Sequence, residues 1–132
     1  MPKYEPIDAA VAIETSSSDL AAIKWDTYGI VAEFIIPHDA ERLLRVTFDK
    51  PCIVRIVDEM ALSTEDDFEP TQGLVSRHLA YRVRGAQFES TQSSDWNYVN
   101  APAAHYRFIT GWACLDVLSA ASPSFAIVDH PR

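Results

Sequence analysis

His105-Tyr-Arg-Phe-Ile-Thr-Gly-Trp-Ala-Cys-Leu-Asp-Val-Leu118 is the stretch that decides the fold. It is dense in β-branched and aromatic residues, which fit a pleated, half-buried surface. Tyr106 and Phe108 fall on one face of a first segment. In a second segment Ala113, Leu115 and Val117 share a face, and Trp112, Cys114, Asp116 and Leu118 share the other. Gly111 separates the two, as a glycine does at a bulge or a hairpin tip. Both faces are largely apolar, so the segments are expected to form an interior strand pair around which other strands pack.

Further runs of the same kind lie on either side. Residues 28–36 alternate, with Tyr28, Ile30, Ala32, Phe34 and Ile36 on one face. Residues 43–48 and 52–57 read as two strands joined by Asp49-Lys50-Pro51, a connection short enough to predict an antiparallel hairpin. Residues 77–88 place Leu79, Tyr81 and Val83 on one face, with His78, Ala80, Arg82 and Arg84 on a solvent face. A last short strand is expected at 125–128. Nearer the N-terminus, Asp8 and Asp19 stand where they would cap short helical turns, the second over residues 20–25. The pattern predicts a mainly β chain: an antiparallel β-sandwich or a small β-barrel with short N-terminal helical turns. The alternative is an α+β fold, one curved antiparallel sheet packed on an N-terminal helix. The 132 residues form a single β-rich domain, 1–132, long enough to bury a core without a staple.

Two stretches break the alternation. Residues 58–73 carry Asp58, Glu59, Glu65, Asp66, Asp67 and Glu69 without a basic residue. They are expected to form a long exposed loop with a helical turn capped by Ser63 or Thr64. Residues 89–102 are rich in Ser, Asn and Pro yet contain Trp96 and Tyr98, with Asp95 as a candidate cap. Aromatic side chains on a loop held between strands are a common form of binding surface. Trp112, by contrast, is expected in the core.

Composition narrows the function. A net charge of −8 repels nucleic acid and anionic membranes and favours a basic partner. No apolar run is long enough to span a bilayer, and the first residues lack the apolar stretch of a signal peptide, so a cytoplasmic location is expected. Cys52 and Cys114 sit in apolar runs and are expected to be buried, reduced thiols. No phosphate-binding glycine loop, nucleophile elbow or metal-ligand spacing is present, so no cofactor or metal is expected. Cys114, His105 and Asp116 are the residue types of a nucleophilic triad. Cys114 and Asp116 share a strand face, however, which puts the carboxylate beside the thiol rather than behind an imidazole. Arg55 and Asp116, each a charge among apolar strand neighbours, are expected either to project to solvent or to pair with each other; the alternative is that they line a pocket mouth and read a polar ligand.

These features describe a small acidic binding module that acts through a protein partner or a small ligand rather than by catalysis. The candidate contact residues are Glu65, Asp66, Asp67, Trp96, Tyr98, His105 and Tyr106. A ligand pocket would be lined by Tyr28, Tyr81, Tyr106 and Trp96. The alternative is a small-molecule enzyme with its site inside a barrel or sheet pocket, His105 or His78 as the acid-base group and Arg107 or Arg82 holding an anion. The sequence leaves the oligomeric state open and is compatible with a homodimer.

Overall fold

The computed structural model describes residues 2–50, 52–66 and 71–130. Its strands are β1 (Lys3–Pro6), β2 (Leu20–Asp26), β3 (Gly29–Ile35), β4 (Arg42–Phe48), β5 (Cys52–Asp58), β6 (Ala80–Arg84), β7 (Ala104–Phe108), β8 (Ala113–Ser119) and β9 (Ser124–Asp129). Among the described residues three short α-helices accompany them: α1 (Glu59–Glu65), α2 (Gln87–Ser90) and α3 (Ser94–Val99). The strands form two antiparallel sheets, β1-β6-β7-β8-β5 and β2-β3-β4-β9, packed as a sandwich rather than closed into a barrel.

The β7–β8 pair sits inside the five-stranded sheet, as its two apolar faces require. Tyr106, Phe108, Leu115 and Val117 point between the sheets and meet Phe34, Leu44, Val46 and Phe48 from β3 and β4. The rings of Phe34 and Phe108 lie 5.6 Å apart, and those of Phe48 and Tyr106 5.5 Å apart. Gly111, at the tip of this hairpin, is fixed by close approach. A Cβ there would stand 2.7 Å from the carbonyl oxygen of Ser16, and its own N–H donates to the carbonyl of Ser18.

Four expectations are corrected. Residues 20–25 are not a helical turn but belong to β2, an edge strand paired with β3 from Asp26↔Gly29 to Leu20↔Phe34. Asp19 does not cap a helix: its carboxylate accepts from the backbone N–H of Leu20 and of Ala113, tying this edge to the β7–β8 hairpin. Asp8 closes a local turn by accepting from the N–H of Ala10, so the N-terminal helix of the α+β alternative is not formed, and a single 3-10 turn at Thr15–Ser17 stands in that region. The strands at 43–48 and 52–57 do not make a hairpin, since β4 pairs with β3 and β9 while β5 pairs with β8. The three-residue connection between them passes from one sheet to the other.

The strand expected over 77–88 is limited to Ala80–Arg84. Tyr81 and Val83 face away from the sandwich core and pack with Tyr4 and Ala86, while Ala80 is buried in the core rather than facing solvent. Residues 58–66 are only partly a loop. Asp58 caps α1 by accepting from the N–H of Met60, and Leu62 is buried. That cap lies at the strand end, ahead of Ser63 and Thr64, because the first turn of α1 follows β5 directly. Likewise Ser93, not Asp95, caps α3 through the N–H of Trp96. No helix among the described residues is long and apolar enough to cross a membrane.

Candidate functional site

The β-register places a row of polar side chains across the outer face of the five-stranded sheet. Arg55 on β5 lies opposite Asp116 on β8, which lies opposite Arg107 on β7, which lies opposite Tyr81 on β6. Residues directly opposite in neighbouring strands project to the same face, so the pairing of the strands itself brings two guanidinium groups to one carboxylate. Asp116 Oδ1 accepts from Arg107 Nε at 2.7 Å and from His105 Nε2 at 2.6 Å. Its Oδ2 accepts from Arg55 Nη2 at 2.7 Å and from Nε at 3.1 Å. Of the arrangements expected for Arg55 and Asp116, the structural pair is the one present, and it is one link of a larger network.

Helix α1 supplies the remaining carboxylates. Glu65 takes Arg55 in a two-pronged grip, Oε2 to Nη1 at 2.5 Å and Oε1 to Nη2 at 3.0 Å. Asp66 Oδ1 accepts from the N–H of Gln87 at the start of α2, and its Oδ2 lies 3.8 Å from Arg107 Nη1. Arg107 also donates to the hydroxyl of Tyr4 at 2.6 Å. Phe88 of α2 closes the roof, with the Arg55 guanidinium 4.3 Å from its ring centre and the His105 ring 5.4 Å away. A shallow recess of about 230 Å³ lies alongside, lined by Arg55, Glu65, Gln87, Phe88 and Thr91.

Burial and pairing act on these groups in opposite directions. Burial pushes the Asp116 carboxyl up, but the His105 hydrogen bond and the positive charge of Arg107 outweigh it and hold the pKa down to about 2. Burial pushes the Tyr4 hydroxyl up, and the neighbouring Arg107 only partly offsets this. Burial alone would lower both arginines. The carboxylates around them overcome it, through Glu65 and Asp116 at Arg55 and chiefly through Asp116 at Arg107. Each guanidinium thus stays charged and is met by carboxylates of the same network. Among the described residues, Nδ1 of His105 and Nη2 of Arg107 are buried without a hydrogen-bond partner.

The candidate contact residues are distributed unevenly around this network. Glu65 and Asp66 are not displayed to a partner but turned inward onto Arg55 and Arg107, and their side chains are largely covered. Asp67 lies outside the described residues. His105 is fully buried, and Tyr106 is buried in the core against Phe48, on the opposite face of β7. Trp96 is half-buried, whereas Tyr98 stands 87% exposed, with Val99 beside it in sequence at 77%. His78 braces the N-terminal segment, its Nε2–H donating to the carbonyl of Ile7.

The four-aromatic pocket does not form. Tyr28 is exposed at the β2–β3 turn, Tyr81 packs on the outer face of its sheet, and Tyr106 is between the sheets. Trp112, expected in the core, is 65% exposed at the end of the hairpin. Cys114 is a buried free thiol lying against the carbonyl of Thr110, and burial raises its pKa. It is separate from the His105–Asp116 pair, so the triad is not assembled. The side chain of Cys52 lies outside what is described. Among the described residues no cluster of three or more His, Cys, Asp or Glu could hold a metal ion.

Tyr4 and Phe88 are the members of the network that sequence reasoning missed, and Arg107 entered it only as an anion-holding residue of the enzyme alternative. The usable signal was the unusual placing of Arg107 and Asp116 within one apolar strand pair. No family model, no curated protein and no solved structure matches the chain.

Proposed function

We propose that the protein is a non-catalytic binding module that engages a protein partner through α3. The observation that carries this reading is that α3 buries none of its residues while presenting Tyr98 and Val99 side by side to solvent. A short helix with an apolar end gains little from the fold it sits on, and aromatic anchors of this kind dominate many interfaces. The net charge of −8 favours a basic partner, steering its approach more than tightening its hold. The buried free thiol of Cys114 fits a reducing compartment, which supports a cytoplasmic location.

Site-specific photo-crosslinking tests the reading. A crosslinker in place of Tyr98 should capture a discrete partner in cells, and one in place of Glu33 on β3 should not. Val99→Asp should abolish the capture without changing the unfolding midpoint. A crosslinker at position 98 that captures nothing, with a discrete product from another face, would move the binding surface elsewhere.

The convergence of His105, Asp116 and Arg107 favours one second reading, a small-molecule enzyme working at the outer face of the sheet. The full burial of His105 weighs against it, because an acid-base group must reach the atom it protonates. Turnover of a small molecule that is lost in His105→Gln while the fold is retained would establish that reading in place of the first.

A further inference from the structure

The sandwich has four sheet edges, β1 and β5 in one sheet and β2 and β9 in the other. Three are managed in recognisable ways. The edge of β1 is met by the chain at Gln72, whose carbonyl accepts from Tyr4 N–H, and the strand carries Pro6. β2 has an irregular register between Leu20 and Ala22 and carries Lys24. β5 has α1 packed back against it, with Glu65 gripping Arg55. β9, Ser-Phe-Ala-Ile-Val-Asp, has no proline, no register shift and no charge before Asp129.

Hydrogen-bond parity shows what this edge offers. His130 N–H donates to the carbonyl of Glu41, and antiparallel pairs alternate between bonded and non-bonded. The backbone groups of Ser124, Ala126 and Val128 therefore turn toward β4. Those of Phe125, Ile127 and Asp129 turn outward, and among the described residues no hydrogen bond reaches them. On the core-facing side, Ile127 is left 40% exposed at the rim of the sandwich.

The geometry points to a second copy of this chain as the occupant of that edge, joined by antiparallel pairing of β9 with its counterpart about a two-fold axis at Ile127. In that register Ile127 meets its own counterpart, and Phe125 meets the counterpart of Asp129. All three outward-facing residues are then hydrogen-bonded at once, because an isologous contact requires a strand that complements itself. Charge selects the same edge. Two chains of −8 each repel, and β9 alone among the edges is uncharged between its ends. The two copies of Asp129 would stand about 14 Å apart at opposite ends of the ribbon. That is well beyond the screening length of about 8 Å at physiological salt. The four-stranded sheet would continue across the axis and cover both copies of Ile127.

Sedimentation of the full chain over a concentration series, with amide exchange of β9 followed by NMR, tests this. The chain should associate to a dimer, and on concentration the amides of Phe125, Ile127 and Asp129 should gain the protection that Ala126 and Val128 already have from β4. Ile127→Pro removes an outward N–H and leaves the β4 ladder intact, so it should weaken the dimer at least about tenfold with the fold retained. Ile127→Lys is the second variant should the proline disturb the strand. It should also give monomer. A wild-type chain that stays monomeric at every concentration would overturn the inference. So would a dimer in which Phe125 and Ile127 exchange no more slowly than in the monomer, or one that persists in a folded Ile127→Lys chain.

Discussion

Asp116 is the residue on which the outer face of the five-stranded sheet depends. It is fully buried, and three cationic or hydrogen-bonding side chains converge on its two oxygens. Removing the carboxylate while leaving Arg55 and Arg107 in place leaves buried charge uncompensated. Asp116→Ala is therefore expected to cost about 3–5 kcal/mol, read as a lowered urea midpoint. The same group sets an acid limit. Its carboxyl is held at about 2 in the fold against 3.8 unperturbed, so its contribution to stability is in place above pH 3.8 and is lost as the pH falls toward 2. The contribution is about 2 kcal/mol, and acid unfolding of the wild type should steepen in that window. Asp116→Asn should remove that part of the acid dependence. That Arg55 and Asp116 are unusual was legible in the sequence, because period-2 alternation puts each on a strand face with apolar neighbours, but the choice between solvent, a mutual pair and a pocket mouth was not. The contributions of Glu65, Tyr4 and Phe88 were not legible, because their approach depends on where α1, β1 and α2 fall in space.

At the scale of elements, α1 is the correction with the largest consequence. A run of carboxylates without a basic residue among them reads as solvated, yet Glu65 turns back onto Arg55 of the preceding strand and Asp66 toward Arg107 of β7. Glu65→Gln is accordingly expected to destabilise by about 1.5–3 kcal/mol, the range for a hydrogen-bonded charge, and to speed amide exchange through α1. Asp95→Asn, at an exposed position of α3, should change stability by no more than about 0.5 kcal/mol in the same assay. Asp58→Ala should cost about 1 kcal/mol through loss of the α1 cap. The strands around Phe34, Val46 and Leu115 were readable because both the period and the composition of their runs point to the same state. β2 was not, since Leu-Ala-Ala-Ile-Lys suits a helix as well as a strand, and pairing with β3 decides between them.

At the scale of the whole molecule, the two-layer architecture followed from alternating runs and turn residues, but the assignment of strands to layers did not. A connection of three residues is equally compatible with a hairpin and with a crossing between sheets, and only the full set of pairings selects the crossing made between β4 and β5. The result is a sandwich whose polar residues are divided in two ways. The ionic row of the outer face is roofed by α1 and α2 and serves the fold. The apolar end of α3, exposed at Tyr98 and Val99, is the surface proposed above for a partner. In the ionic row the buried carboxylate of Asp116 is held by Arg55, Arg107 and His105 rather than displayed as part of an open charged surface. The most direct measurement is the NMR titration of the Asp116 side-chain carboxyl in the intact chain. The expected midpoint is about 2. A midpoint near the ordinary aspartate value of about 4 would contradict this, since it would mean that His105 and Arg107 do not hold the carboxylate.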